Sequence, residues 1–293
     1  MQPASEQETQ TNVQPKDSRQ WNRSVVQRVI TAVIAIPVVL AFVWLSGWWG
    51  LAVAVIAVIL SVYELHNMMV HEGYHPLIWM SFGLSILFLL AAVFPQQRII
   101  LIEIGLSAAL LITFPLLFIR QKLEGAMVDW SLTLAIPVYL GWPLSVFLLL
   151  RGFQGGITPG FWWVLTVFLG VWGFDSGAFF SGHFWGKHKL APAISPAKTW
   201  EGVAGGLVLS IAAALLFTAW PLSVPWYLAI VLGILIGIAA TLGDLAESLI
   251  KRQTHVKDSG QFMPGHGGLL DRIDSLLFAV IVVFIFAQLV GKL

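Results

Sequence analysis

Residues 226–250 read WYLAIVLGILIGIAATLGDLAESLI, and this stretch decides the fold. It is almost wholly apolar as far as Asp244 and long enough, at 1.5 Å per helical residue, to cross a bilayer's hydrocarbon core. In lipid each backbone polar group must be paired within the segment, so such a run is a helix packed among other helices. Its end has a different character. Asp244, Glu247, Ser248 and, just beyond, Lys251 are spaced i, i+3, i+4 and i+7 and share one stripe. A polar stripe facing lipid is penalised, so this one is expected to face a polar cavity. A structural Asp–Lys or Glu–Lys network between helices is the competing reading.

The remainder of the 293 residues has the same cast: 58% hydrophobic, 11% charged, with a mean hydropathy of +0.84. That lies outside the composition of soluble domains. Long continuous apolar runs also exclude the short alternating strands of a membrane β-barrel. The expectation is an all-α, polytopic transmembrane bundle of about nine spans, at roughly 27–46, 48–67, 76–95, 98–119, 131–150, 160–181, 203–222, 226–250 and 273–291. Residues 1–24 are polar and read as a cytoplasmic tail rather than a signal peptide, because the first apolar run follows Arg28 and is long enough to span. Residues 25–150 then form an N-terminal membrane region. Residues 151–293 form a catalytic membrane region with cytoplasmic loops at 181–202 and 250–272. With the amino terminus inside, this topology leaves only Arg98, Arg151 and Lys292 of the sixteen Lys and Arg residues outside, as the positive-inside bias requires. Nine spans put the carboxyl terminus outside. The absence of cysteine excludes disulfides, thiolate metal sites and a cysteine nucleophile. A net charge of +1 does not identify a partner, and no nucleic-acid partner is expected.

Six acids fall in or at the edges of spans: Glu64, Glu103, Asp175, Asp244, Glu247 and Asp274. Each needs a partner, an edge position or a function. Glu103 lies close to Arg98 and suits a helix-end or ion-paired role. Glu64, near the cytoplasmic end of its span, divides between structural pairing and lining the site. Asp175, in WGFDSGAFFSG, is about two turns from the cytoplasmic end of the sixth span, and Asp271 with Asp274 forms an i, i+3 pair opening the ninth. Aspartates arriving from three helices make a hard, oxygen-rich site suited to Mg²⁺ shared with substrate phosphates. The histidines lack the regular pairing of zinc ligands.

The loop SGHFWGKHKLAPAISPAKTWEG, residues 181–202, carries Lys187, Lys189 and Lys198. Ser195 and Pro196 read as the N-cap and first residue of a short helix whose positive end would hold a phosphate, with Lys198 and Thr199 as further donors. In the second loop, His266, Gly267 and Gly268 precede the ninth span, where converging N–H groups and the helix dipole suit an anion. A Walker-type glycine run followed by Gly-Lys-Ser/Thr is lacking.

The segment Ser248-Leu-Ile-Lys-Arg, four residues, Lys257-Asp258-x-Gly260, three residues, Pro264-x-His266-Gly-Gly-Leu-x-Asp271-Arg272-Ile-Asp274 resembles the signature of the phosphatidate cytidylyltransferase family, also called CDP-diacylglycerol synthases. Asp175 to Gly202, ending ISPAKTWEG, and Gly243-Asp244-Leu-x-Glu247-Ser248 resemble two further regions of that family. Together they cover roughly residues 172–275. Met263 and Ala197 depart from the family pattern, the latter standing where a second lysine often precedes Lys198.

The resemblance implies attack by phosphatidic acid on the α-phosphorus of CTP, giving CDP-diacylglycerol and pyrophosphate, with Mg²⁺ and a second, monovalent cation. It carries metal binding over to Asp244 and Asp271. Asp175 and Asp274 are then expected to bind the metal or to support its ligands. Lys198, Lys251, Arg252, Lys257 and Arg272 are expected to meet phosphates, with Lys251 and Lys257 beside the reaction and Thr199, His266, Gly267 and Gly268 at the substrates. A homodimer in a bacterial inner membrane, its lipid substrate drawn from the bilayer and its active site facing the cytoplasm, completes the expectation. An ion-coupled transporter and a CTP-dependent lipid kinase are the alternatives.

Overall fold

The computed structural model describes residues 37, 39–120, 124–260 and 267–292. The expected tail at 1–24, most of the expected first span, and His266 lie outside the described residues. A helical segment over 39–45 leads into α1 (Gly47–His71), followed by α2 (Ile78–Val93), α3 (Arg98–Arg120), α4 (Ala126–Tyr139), α5 (Gly141–Arg151) and α6 (Pro159–Trp185). A two-stranded hairpin, β1 (Lys189–Ala191) and β2 (Ser195–Thr199), precedes α7 (Trp200–Ala214), which ends in a π-helical turn, Leu215–Ala219. The last two helices are α8 (Trp226–Gln253) and α9 (Leu270–Leu289).

The protein is an all-α polytopic membrane protein. Among the described residues, six helical stretches are long and apolar enough to cross a membrane: α1, α3, α4 with α5, α6, α7 with its π turn, and α8. The α2 helix is shorter, at 16 residues, and α9 opens on Asp271, Arg272 and Asp274. The expected span at 131–150 is two helices meeting at Leu140, with Pro137 and Pro143 on either side of the break. A proline within a helix removes a donor and crowds the preceding turn, which explains the interruption.

One large core, built on Trp163, Leu232, Ile236 and Val283, joins α5 to α6, α7, α8 and α9. A second, around Val58, Leu89, Leu140 and Leu277, joins α1 and α2 to α4, α5 and α9. Gly177 brings α6 against α7: a Cβ there would lie 2.5 Å from the Gly205 carbonyl oxygen. Such small-residue contacts are how helices approach closely where lipid offers no hydrophobic drive.

Arg151, only 3% exposed, anchors the end of the molecule away from the polar loops. Its five N–H groups donate to the carbonyls of Val43, Trp44, Gln154 and Gly156 and to the Thr158 hydroxyl. Every donor of the buried guanidinium is satisfied, as burial of that charge demands.

The hairpin corrects one expectation. Ser195 and Pro196 do not start a helix; they lie in β2, paired antiparallel with β1 in the register Ala191 to Ser195 and Lys189 to Thr199. The cap is Thr199, whose hydroxyl accepts from Gly202 N at 3.1 Å. Extended backbone is the ordinary conformation on both sides of a proline, and a two-stranded edge tolerates the missing donor.

Candidate active site

Four helix ends and the hairpin meet at one end of the bundle: the C-terminal parts of α6 and α8, and the N-terminal parts of α7 and α9. Two cavities open there and share Asp175 and Asp244. The larger, about 650 Å³, is walled by Phe174, Phe179, Val203 and Ala240, with Lys198 and Thr199 as its polar edge. The smaller, about 280 Å³, is lined by Asp175, Asp244, Glu247, Lys251, Asp258, Asp271, Arg272, Asp274 and Ser275. Six carboxylates therefore face two cations.

The stripe read from residues 226–250 faces this cavity. Lys251 Nζ donates to Glu247 Oε2 and to Asp271 Oδ1, each at 2.8 Å, joining α8 to α9. Lys198 Nζ, from β2, lies 2.6 Å from Asp244 Oδ2, and Ser248 Oγ donates to Asp244 Oδ1 at 3.2 Å. The stripe is thus both a cavity wall and an ion-paired network, so the two readings are not exclusive.

Asp271 Oδ2 accepts from Gly268 N at 2.8 Å and Ser259 N at 3.1 Å, with Ser259 Oγ at 3.0 Å. Of the two glycines expected to offer N–H groups to a substrate phosphate, Gly268 donates its N–H to a carboxylate of the chain. Gly267 has φ +80°, a left-handed conformation that favours glycine. Asp274 is buried, and its Oδ1 accepts from Ser275 N at 2.6 Å.

Of the remaining expected cations, two lie further out and one lines the acidic cavity. Arg252 is exposed and donates through Nε to the Ile194 carbonyl at 3.1 Å, tying α8 to the hairpin turn. Lys257 is exposed and lines neither cavity, whereas Arg272 lines the acidic one. Two residues outside the expected site set prove central. Ser259, an unspecified position in the quoted signature, touches both Asp271 and Glu64. Glu64 reaches across from α1 to the start of α9. The signal for Glu64 was an acid near the end of a span, which suited structural pairing and lining the site alike.

The donor set suits a hard cation such as Mg²⁺. Glu247 is 1% exposed and its Oε1 is a buried oxygen without a hydrogen-bond partner, while Asp175, Asp244 and Asp274 add oxygen donors to the same cavity. Among the described residues no three His, Asp or Glu side chains converge closely enough to hold an ion alone.

The sequence model of the cytidylyltransferase family matches residues 26–290. A Synechocystis protein named phosphatidate cytidylyltransferase is 35% identical over 289 residues, covering 90% of this chain and 96% of that protein. One of the same name from Staphylococcus haemolyticus is 35% identical over 260 residues, covering 86% of this chain and 95% of its own. A match running through the whole bundle, and not only through the site, means that the chain belongs to the cytidylyltransferase family.

Proposed function

We propose that this protein is a phosphatidate cytidylyltransferase, converting CTP and phosphatidic acid to CDP-diacylglycerol and pyrophosphate at the cytoplasmic face of the membrane. The single observation that carries the reading is the pair of joined cavities: one of mixed lining, with Phe174, Phe179, Val203 and Ala240 facing Lys198, Thr199 and His183, the other acidic and bridged by Lys251. A lipid phosphate and a nucleotide triphosphate can meet at their shared wall, Asp175 and Asp244.

In the reaction a phosphate oxygen of phosphatidic acid attacks the α-phosphorus of CTP. A phosphoanhydride bond forms, the bond between the α- and β-phosphates breaks, and pyrophosphate leaves with its electron pair. No nucleophile from the protein is needed, so catalysis rests on positioning and charge neutralisation. Lys198 and Lys251 each hold an aspartate in the resting site and are placed to exchange it for substrate phosphate oxygens. Arg272 adds a cation on the acidic side. Asp244 and Asp271 would hold Mg²⁺, with Asp175, Glu247 and Asp274 around them. Bound Mg²⁺ supplies neutralisation of the triphosphate and of the charge that develops on the departing pyrophosphate. The acyl chains stay within the bilayer.

Purified protein incubated with phosphatidic acid, CTP and Mg²⁺ should release pyrophosphate and form CDP-diacylglycerol. Release of CDP with phosphorylation of a lipid would make it a kinase instead. Asp271→Asn should lower turnover by about 100-fold or more, the usual loss when one preorganised electrostatic group is removed. Near-normal turnover by that variant would take Asp271 out of the site.

A further inference from the structure

The proposed reaction draws its residues from β2 and α6–α9, yet one buried acid at this end comes from α1. Glu64 is 6% exposed. Its Oε1 accepts from Leu269 N at 2.9 Å, and its Oε2 accepts from Leu270 N at 2.9 Å. Ser259 Oγ lies 3.3 Å from Glu64 Oε2 and 3.0 Å from Asp271 Oδ2, so its one proton serves either carboxylate. Between these acids sits Gly268, where a Cβ would approach Ser259 Oγ and come within 2.7 Å of Glu64 Oε2.

The first N–H groups of a helix lack partners within it, and a negative group placed there is favoured by the dipole. Ordinarily a residue of the same segment provides that cap. In α9 it comes from a helix about two hundred residues earlier in the chain, so Glu64 governs where α9 begins in space as well as how it is capped. We infer that Glu64 is a positioning residue for the reaction. It holds the first turn of α9 so that Asp271 meets Lys251 and stands across the cavity from Asp244. The inference rests on the proposed reaction, in which Asp271 is a metal ligand.

Glu64→Gln tests it in the full chain in detergent, because an amide nitrogen must then face the N–H of Leu269 or Leu270. Hydrogen–deuterium exchange at one or other of those two amides should quicken about tenfold, as for loss of one hydrogen bond to a charged acceptor. kcat should fall by a similar factor while KM for CTP changes little, and the Mg²⁺ concentration for half-maximal rate should rise several-fold. Unchanged exchange overturns the clamp. Faster exchange with wild-type kcat and Mg²⁺ dependence, or a lower Tm alone, overturns its role in the reaction. Should Glu64→Gln fail to fold, Ser259→Ala must shift exchange and Mg²⁺ dependence in the same directions, and failure to do so also overturns the inference. A wild-type protein that makes no CDP-diacylglycerol overturns the proposed reaction instead, since the exchange measurement reports the clamp without turnover.

Discussion

Lys251 bridges two carboxylates in the cavity. Its ammonium sits between Glu247, which is almost wholly buried, and Asp271, and its own side chain is 18% exposed. Removing one partner from a buried ionic network leaves the others uncompensated, at a cost of about 3 kcal/mol or more. Lys251→Ala should therefore lower the unfolding midpoint in detergent and reduce turnover by about 100-fold. Lys257→Ala, by contrast, changes an exposed side chain outside both cavities and should leave the midpoint within error. Unfolding followed by intrinsic tryptophan fluorescence, alongside pyrophosphate release, separates the two variants. If Lys257→Ala proves the more damaging to stability, Lys251 is not the bridge that its distances describe.

At the scale of elements, the geometry of the proposed site depends on how closely α6 and α7 approach, because Asp175 rides on the first and Lys198 lies two residues before the second. Gly177→Val would press a branched side chain against the Gly205 carbonyl, and overpacking of this kind costs about 1–3 kcal/mol. The helices should separate, weakening the wall shared by the two cavities. Activity should fall about tenfold or more while helicity by circular dichroism stays near wild type; full activity would mean that the approach at Gly177 does not set the site. Much of this architecture was legible beforehand. Apolar runs marked the helices because lipid enforces both length and backbone pairing, and the stripe at Asp244, Glu247 and Lys251 pointed to its cavity because period fixes a helix face. The hairpin was not legible, since Ser-Pro suits a helix start and an extended strand alike. Glu64 was legible as an acid needing a partner or a place in the site, but the partner itself was not: it is the backbone N–H groups of another helix, which leave no trace in side-chain pattern.

For the whole molecule, the decisive question is which end faces the cytoplasm. Lys187, Lys189, Lys198, Lys251, Arg252, Lys257 and Arg272 lie at the end with the cavities, while Arg151 and Lys292 belong to the opposite end, where Trp163 Nε1 donates to the Lys292 carbonyl. The proposed orientation, with positive residues retained on the cytoplasmic side, would turn the cavities inward, to the compartment that holds nucleotides. The chain has no cysteine, so single replacements report one position each. Lys189→Cys in β1 and Gln154→Cys in the loop after α5 both replace exposed residues, at opposite ends. A membrane-impermeant maleimide should label Gln154→Cys in intact cells and Lys189→Cys only after permeabilisation. The opposite pattern would turn Lys198 and Asp244 away from cytoplasmic CTP, and the proposed reaction would then lose access to one of its substrates.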